Sequence, residues 1–150
     1  MSHTTKVSDI DFSTEGDIDV IFMCGGYGTC IDFHTNPPLK AAIESMYNAN
    51  KTVVAVCHGP VCLVDCVKED GTPLLEGKEV TVFSDAEEEM AGMVDKLPFL
   101  VESKFRELGA KYVKATDPWV SHVCADGNLI TGQNPASSIG CAKKVISMLA

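Results

Sequence analysis

Val53-Val54-Ala55-Val56-Cys57-His58-Gly59-Pro60 carries an apolar, β-branched run straight into a cysteine and a histidine, and then into Gly-Pro. The pattern predicts a buried strand, a sharp turn and the start of a helix. A residue at such a corner is pushed out of the carboxyl edge of a sheet, beside the exposed N–H groups of a helix N-terminus. Those groups and the helix dipole favour a thiolate over a thiol. The G-x-S-x-G elbow presents serine by the same strand, turn and helix geometry. Cys57 is therefore a candidate nucleophile.

Working outward, Ile18 to Cys24 reads as a first strand that runs into the glycine-rich loop Gly25-Gly26-Tyr27-Gly28-Thr29. Pro37-Pro38 opens a helix with Leu39, Ala42, Ile43 and Met46 at helical spacing, and Thr52 to Val56 is the second strand. Beyond the Cys57 corner, Val61 to Val67 predicts a short buried helix and Glu79 to Phe83 a third strand. Ser84-Asp85 is the expected N-cap of an acidic segment, Ala86 to Met90. Pro98 to Leu108 is an amphipathic helix ended by Gly109, and Lys111 to Ala115 a further strand. Val120 to Ala125, Asp126-Gly127 and Asn128 to Gly132 read as a hairpin, with a last helix over Ala136 to Leu149. Strands alternating with helices imply an α/β fold with a mostly parallel sheet. Residues 1–17 are polar enough to be a lead-in, which leaves 18–150 as a single α/β domain.

Composition narrows the function classes. The chain has 150 residues, 45% of them hydrophobic and 22% charged, which suits one globular domain with its own core. A formal net charge of -9 argues against a nucleic-acid partner. No apolar run reaches the ~20 residues of a membrane helix, and the start lacks a basic-then-apolar leader, so the expectation is a cytoplasmic protein with no membrane partner. The seven cysteines form no C-x-x-C pair and only four histidines accompany them, so neither a metal site nor a disulfide framework is expected. Most of the cysteines are read as small buried hydrophobes.

In parallel sheets ligands bind beyond the carboxyl ends of the strands. That rule gathers Gly25 to Thr29, Cys57-His58 and Ser84 to Glu88 in one place. Each has a bland alternative: a structural thiol, a capping histidine, a tight turn, and a solvated acidic first turn. The chemical reading is a Cys-His pair able to share a proton, with a glycine loop whose N–H groups face an oxyanion. One of Glu87, Glu88 and Glu89 is then a candidate to orient His58.

Four segments in register carry a resemblance. They are Gly25-Gly26-Tyr27-Gly28-Thr29 with Asp32-Phe33, Ala55 to Pro60, Phe83-Ser84-Asp85-Ala86-Glu87-Glu88, and Thr131-Gly132-Gln133-Asn134-Pro135-Ala136-Ser137. In order and spacing they resemble the ThiJ/PfpI superfamily (class I glutamine amidotransferase-like), and within it the glutathione-independent glyoxalase III and chaperone-deglycase branch. The similarity covers about Asp17 to the C-terminus. It implies a flavodoxin-like three-layer sandwich and a homodimer. It also implies Cys57 as nucleophile, His58 as general base and acid, and Glu88 as triad carboxylate. Gly25 and Gly26, with the N–H of His58, would stabilise an oxyanion. The implied reaction converts methylglyoxal, a small α-oxoaldehyde, to lactate without metal, glutathione or other cofactor.

One departure stands out. The superfamily's first strand, at the centre of its sheet, and the glutamate that follows it have no counterpart before Ile18. The chain is thus expected to be N-terminally short, with a vacancy beside Val20 and Val54 and two exposed strand edges. The alternative readings are a redox-responsive chaperone or binding protein with an oxidisable Cys57, and a catalytically degenerate relative. A peptide or amide hydrolase ranks behind the redox-responsive reading and ahead of the degenerate one.

Overall fold

The computed structural model describes residues 3–13 and 15–150. Along the chain run β1 (Val20–Met23), α1 (Thr29–Asp32), α2 (Pro37–Asn48), β2 (Thr52–Val56) and a 3₁₀ segment over Gly59–Leu63. Then come β3 (Glu79–Val80), α3 (Asp85–Ala91), α4 (Val101–Glu107), β4 (Lys111–Tyr112), the hairpin β5 (Val123–Asp126) and β6 (Leu129–Gly132), and α5 (Ser138–Leu149). The main sheet has the order β1-β2-β6-β5, parallel except for the β5–β6 pair.

β2 is buried at every position because it has a strand on each side and a layer on each face. Val53 and Ala55 face a core shared with Leu39, Ile43 and Met46 of α2. Val54 and Val56 face the other way, onto a smaller core with Ile130 and Cys141. α2 forms where the sequence predicts it: Asn36 caps the helix by accepting the Leu39 N–H, and two prolines fill its first turn. α5 lies so close to β6 that a Cβ at Gly132 would sit 2.6 Å from the Cys141 sulfur. Helix, sheet and helix make the expected flavodoxin-like α/β sandwich.

Several expectations are corrected. No gap opens between the strands that carry Val20 and Val54: Val20 pairs in register with Thr52, and Val54 lies between Phe22 and Ile130. Among the described residues the outer sides of β1 and β5 both lack a strand partner, so the sheet is continuous and ends at those two edges. The strands expected over Glu79–Phe83 and Lys111–Ala115 shrink to two residues each and pair with one another in a separate ribbon. Beyond Val80 the ladder is replaced by single bonds, with Thr81 N–H donating to Thr131 Oγ1 and Phe83 N–H to the Cys57 carbonyl. The hairpin turn is Gly127-Asn128, not Asp126-Gly127, because Asp126 pairs with Leu129. Its carboxylate accepts from Lys78 Nζ and from the Glu79 N–H, tying the hairpin to β3. The polar lead-in is irregular but attached: Ser45 Oγ donates to the Phe12 carbonyl and Lys51 Nζ to those of Ser13 and Gly16.

Candidate active site

β2 delivers Cys57 to the corner at its carboxyl end with φ +64, a left-handed conformation that costs a non-glycine residue about 1–3 kcal/mol. The expected elbow is therefore present, held because Cys57 N–H donates to the Gly132 carbonyl and its own carbonyl accepts from Phe83. The chain leaves the corner in the 3₁₀ segment rather than in an α-helix.

Cys57 Sγ lies 3.3 Å from His58 Nδ1, and His58 Nε2 lies 2.7 Å from Glu88 Oε2. A carboxylate only accepts hydrogen bonds, so Nε2 carries the proton and the Nδ1 lone pair faces the thiol. The His58 ring is buried between Tyr27, at 4.6 Å between centroids, and Phe83, at 4.3 Å, which fixes its plane. Gly25 closes the site from the end of β1. A Cβ there would lie 2.6 Å from the Cys57 Cβ and 3.0 Å from the His58 nitrogen, so only glycine permits the approach.

The thiolate expected at a helix N-terminus is not favoured. Burial pushes the Cys57 thiol up to about 11, and hydrogen bonds from the N–H groups of His58 and Gly26 offset it only in part. The Glu87 and Glu88 carboxylates push in the same direction as burial. The basic group nearest the sulfur is His58 Nδ1, at 3.3 Å.

The acidic run is not the solvated turn of the bland reading. Glu87 and Glu88 are both buried, whereas Glu89 is exposed. Glu88 Oε2 holds His58 while its Oε1 has no hydrogen-bond partner among the described residues, and burial together with this carboxylate raises the Tyr27 phenol to about 12. Glu87 forms a capping box with Ser84 and accepts from Gln133 Nε2, Asn134 Nδ2 and the Trp119 N–H. Burial works against its charge, but the donors from Ser84, Asn134 and Trp119 outweigh it and hold the carboxyl below the usual range.

A cleft of about 670 Å³ opens onto Cys57 and His58. Its walls are mostly aromatic or aliphatic and include Phe22, Val56, Phe83 and Trp119. The described residues hold no cluster of three or more histidine, cysteine or acidic side chains with metal-ligand geometry. No helix among them is long and apolar enough to cross a membrane.

A family model described as the DJ-1/PfpI family matches residues 1–148. The chain belongs to the DJ-1/PfpI family. The match begins ahead of Asp17, so it takes in the polar lead-in as well. A probable glutathione-independent glyoxalase of Schizosaccharomyces pombe is 34% identical over 99% of this chain and 68% of its own length. The solved Rapid Encystment Protein of Francisella tularensis superposes with a TM-score of 0.90 at 36% identity, over 97% of this chain and 63% of its own. The solved glyoxalase III of Candida albicans superposes with a TM-score of 0.86 at 31% identity, over 94% of this chain and 60% of its own. The chain thus spans 60–68% of the length of these three relatives.

Within this family frame, the structure brings Cys57, His58, Glu88, Gly25 and Gly26 together as expected. Sequence reasoning missed Tyr27, Phe83 and Trp119 as walls of the site and Glu87 as its anchor. Tyr27 and Phe83 carried a signal, since both sit inside the four motifs. Trp119 carried none, as the segment around it has no periodicity.

Proposed function

We propose that this chain is a glyoxalase III-type enzyme that converts methylglyoxal and water to lactate without glutathione. The observation carrying the proposal is the buried relay from Cys57 through His58 to Glu88 at the floor of an open cleft. The family relatives named as glyoxalases support it.

Cys57 Sγ adds to the aldehyde carbon, and its proton passes through His58 Nδ1 to the carbonyl oxygen, giving a hemithioacetal. His58 next removes the hydrogen on that carbon to form an enediolate and returns the proton to the neighbouring carbon. The product is a lactoyl thioester, and water hydrolyses it to lactate and free thiol. Glu88 stabilises the imidazolium formed in each transfer, and the loop of Gly25 and Gly26 with the His58 N–H supplies the donors for the developing oxyanion, the Gly26 and His58 N–H groups already lying against the Cys57 sulfur. A thiol raised to about 11 fits this sequence, because the proton leaves as the bond forms and no standing thiolate is needed.

The alternative of an oxidisable sensor cysteine is less well supported, since a buried and protonated Cys57 is a poor reductant for peroxide. Seven unpaired cysteines favour a reducing compartment such as the cytoplasm. A homodimer is the proposed assembly, supported by the open β1 edge and the exposed Ile139, Ile146 and Leu149 of α5. Lactate formed from methylglyoxal in glutathione-free buffer tests the activity. Production abolished by Cys57→Ala supports it, and equal production by that variant refutes it.

A further inference from the structure

Methylglyoxal has only a handful of non-hydrogen atoms, while the cleft over Cys57 has a volume of about 670 Å³, comparable to the ~300–1,000 Å³ of clefts for drug-sized ligands. A substrate that small would leave the outer walls untouched. Those walls are built from rings. Phe83 stacks on His58, and Trp119 meets the edge of Phe83 at a centroid distance of 5.4 Å and an interplanar angle of 67°.

Trp119 is held where it is by more than packing. Its φ of +63 is strained for a residue with a side chain, and its N–H donates to Glu87 Oε1 at 2.8 Å. Glu87 is itself fixed by donors from three separate parts of the chain: the α3 cap, the segment after β6, and Trp119. Yet Trp119 is 45% exposed. A large apolar surface, strained into place and left facing a cleft, is a surface with something to contact.

We propose that Trp119 and Phe83 form an aromatic subsite and that the preferred substrates are 2-oxoaldehydes bearing a bulky apolar or aromatic substituent, with Trp119 as a specificity-determining residue. The inference rests on the glyoxalase reading of Cys57 and His58 and extends it outward along the cleft. With the aldehyde carbon at Cys57 Sγ, the substituent on the keto carbon extends toward Phe83 and Trp119, where an aromatic ring would stack edge-on.

Phenylglyoxal and methylglyoxal are the paired probes, and mandelate and lactate their unreactive products. The kcat/KM for phenylglyoxal should exceed that for methylglyoxal by about tenfold or more, the scale on which apolar pockets discriminate. Trp119→Ala should lower that ratio about tenfold, mainly through KM, and Trp119→Phe should restore most of it. Because Trp119 is the sole tryptophan, its fluorescence reports the subsite directly. Mandelate should quench it at least tenfold more tightly than lactate. Turnover of both aldehydes with a ratio near one that Trp119→Ala leaves unchanged overturns the proposal, as does equal quenching by the two acids. If neither aldehyde turns over but mandelate still binds preferentially, the glyoxalase reading fails and the aromatic subsite stands.

Discussion

Replacing Gly25 with alanine adds one methyl group at the most crowded point of the site. The new carbon would sit 2.6 Å from the Cys57 Cβ, 2.6 Å from the Val56 carbonyl oxygen and 3.0 Å from the His58 nitrogen. Carbon atoms in contact prefer about 3.5–4.0 Å, so roughly 1 Å must be found. No flexible side-chain end is available to yield, since two of the three neighbours are backbone and the third is the Cβ of the nucleophile. Overpacking of this kind costs about 1–3 kcal/mol, which for a domain of this size lowers Tm by roughly 2–12 °C. The larger effect falls on activity: a misplacement of about 1 Å at a reacting group costs on the order of 100-fold. Gly28→Ala is the matched control in the same loop, because a Cβ there meets nothing within 4 Å. Lactate production and thermal melts measured side by side should show Gly25→Ala down about 100-fold, with Gly28→Ala within about twofold of the unsubstituted chain. Equal activity in the two variants would refute the view that close approach of β1 to the elbow shapes the site.

Glu88→Gln keeps the shape of the His58 partner but removes its charge, so kcat should fall by about 10²–10⁴ with little change in KM, as steady-state kinetics will show. Burial raises the Cys57 thiol to about 11 and leaves Cys24 exposed, so iodoacetamide at neutral pH should label Cys24 first. Peptide mapping should show Cys57 labelling climbing only as the pH is raised toward 11. Glu87 is held below its ordinary value of 4.5, so the folded protein binds its proton less readily than the unfolded chain. Its contribution to stability is then complete above about pH 4.5 and lost as the pH falls through the folded value, and Glu87→Gln should flatten that part of a stability curve measured by urea unfolding.

The parts of this molecule that can be read from sequence are those whose cause is local. Thr52–Val56 announces itself by composition, α2 by the spacing of Leu39, Ala42, Ile43 and Met46 after Asn36 and two prolines, and the elbow by a cysteine placed between a strand and Gly-Pro. The four motifs lie at the carboxyl ends of strands, which is why they converge. What sequence hides is nonlocal. Thr81 and Phe83 look like strand residues and are buried like them, but Thr131 and Cys57 replace their ladder partners, so β3 stops at Val80. Glu87 gathers Trp119, Gln133 and Asn134 from 32, 46 and 47 residues away, and no periodicity links such distant positions. The raised Cys57 thiol is hidden for the same reason: a helix start favours the anion, but the depth of burial belongs to the finished fold.

A covalent intermediate on Cys57 is central to the proposed chemistry, and intact-mass analysis of protein quenched in acid during methylglyoxal turnover tests it most directly. The expected result is an adduct of one methylglyoxal mass on the peptide carrying Cys57, appearing within the first turnovers and decaying as substrate is exhausted. Steady lactate production with Cys57 unmodified throughout would contradict it.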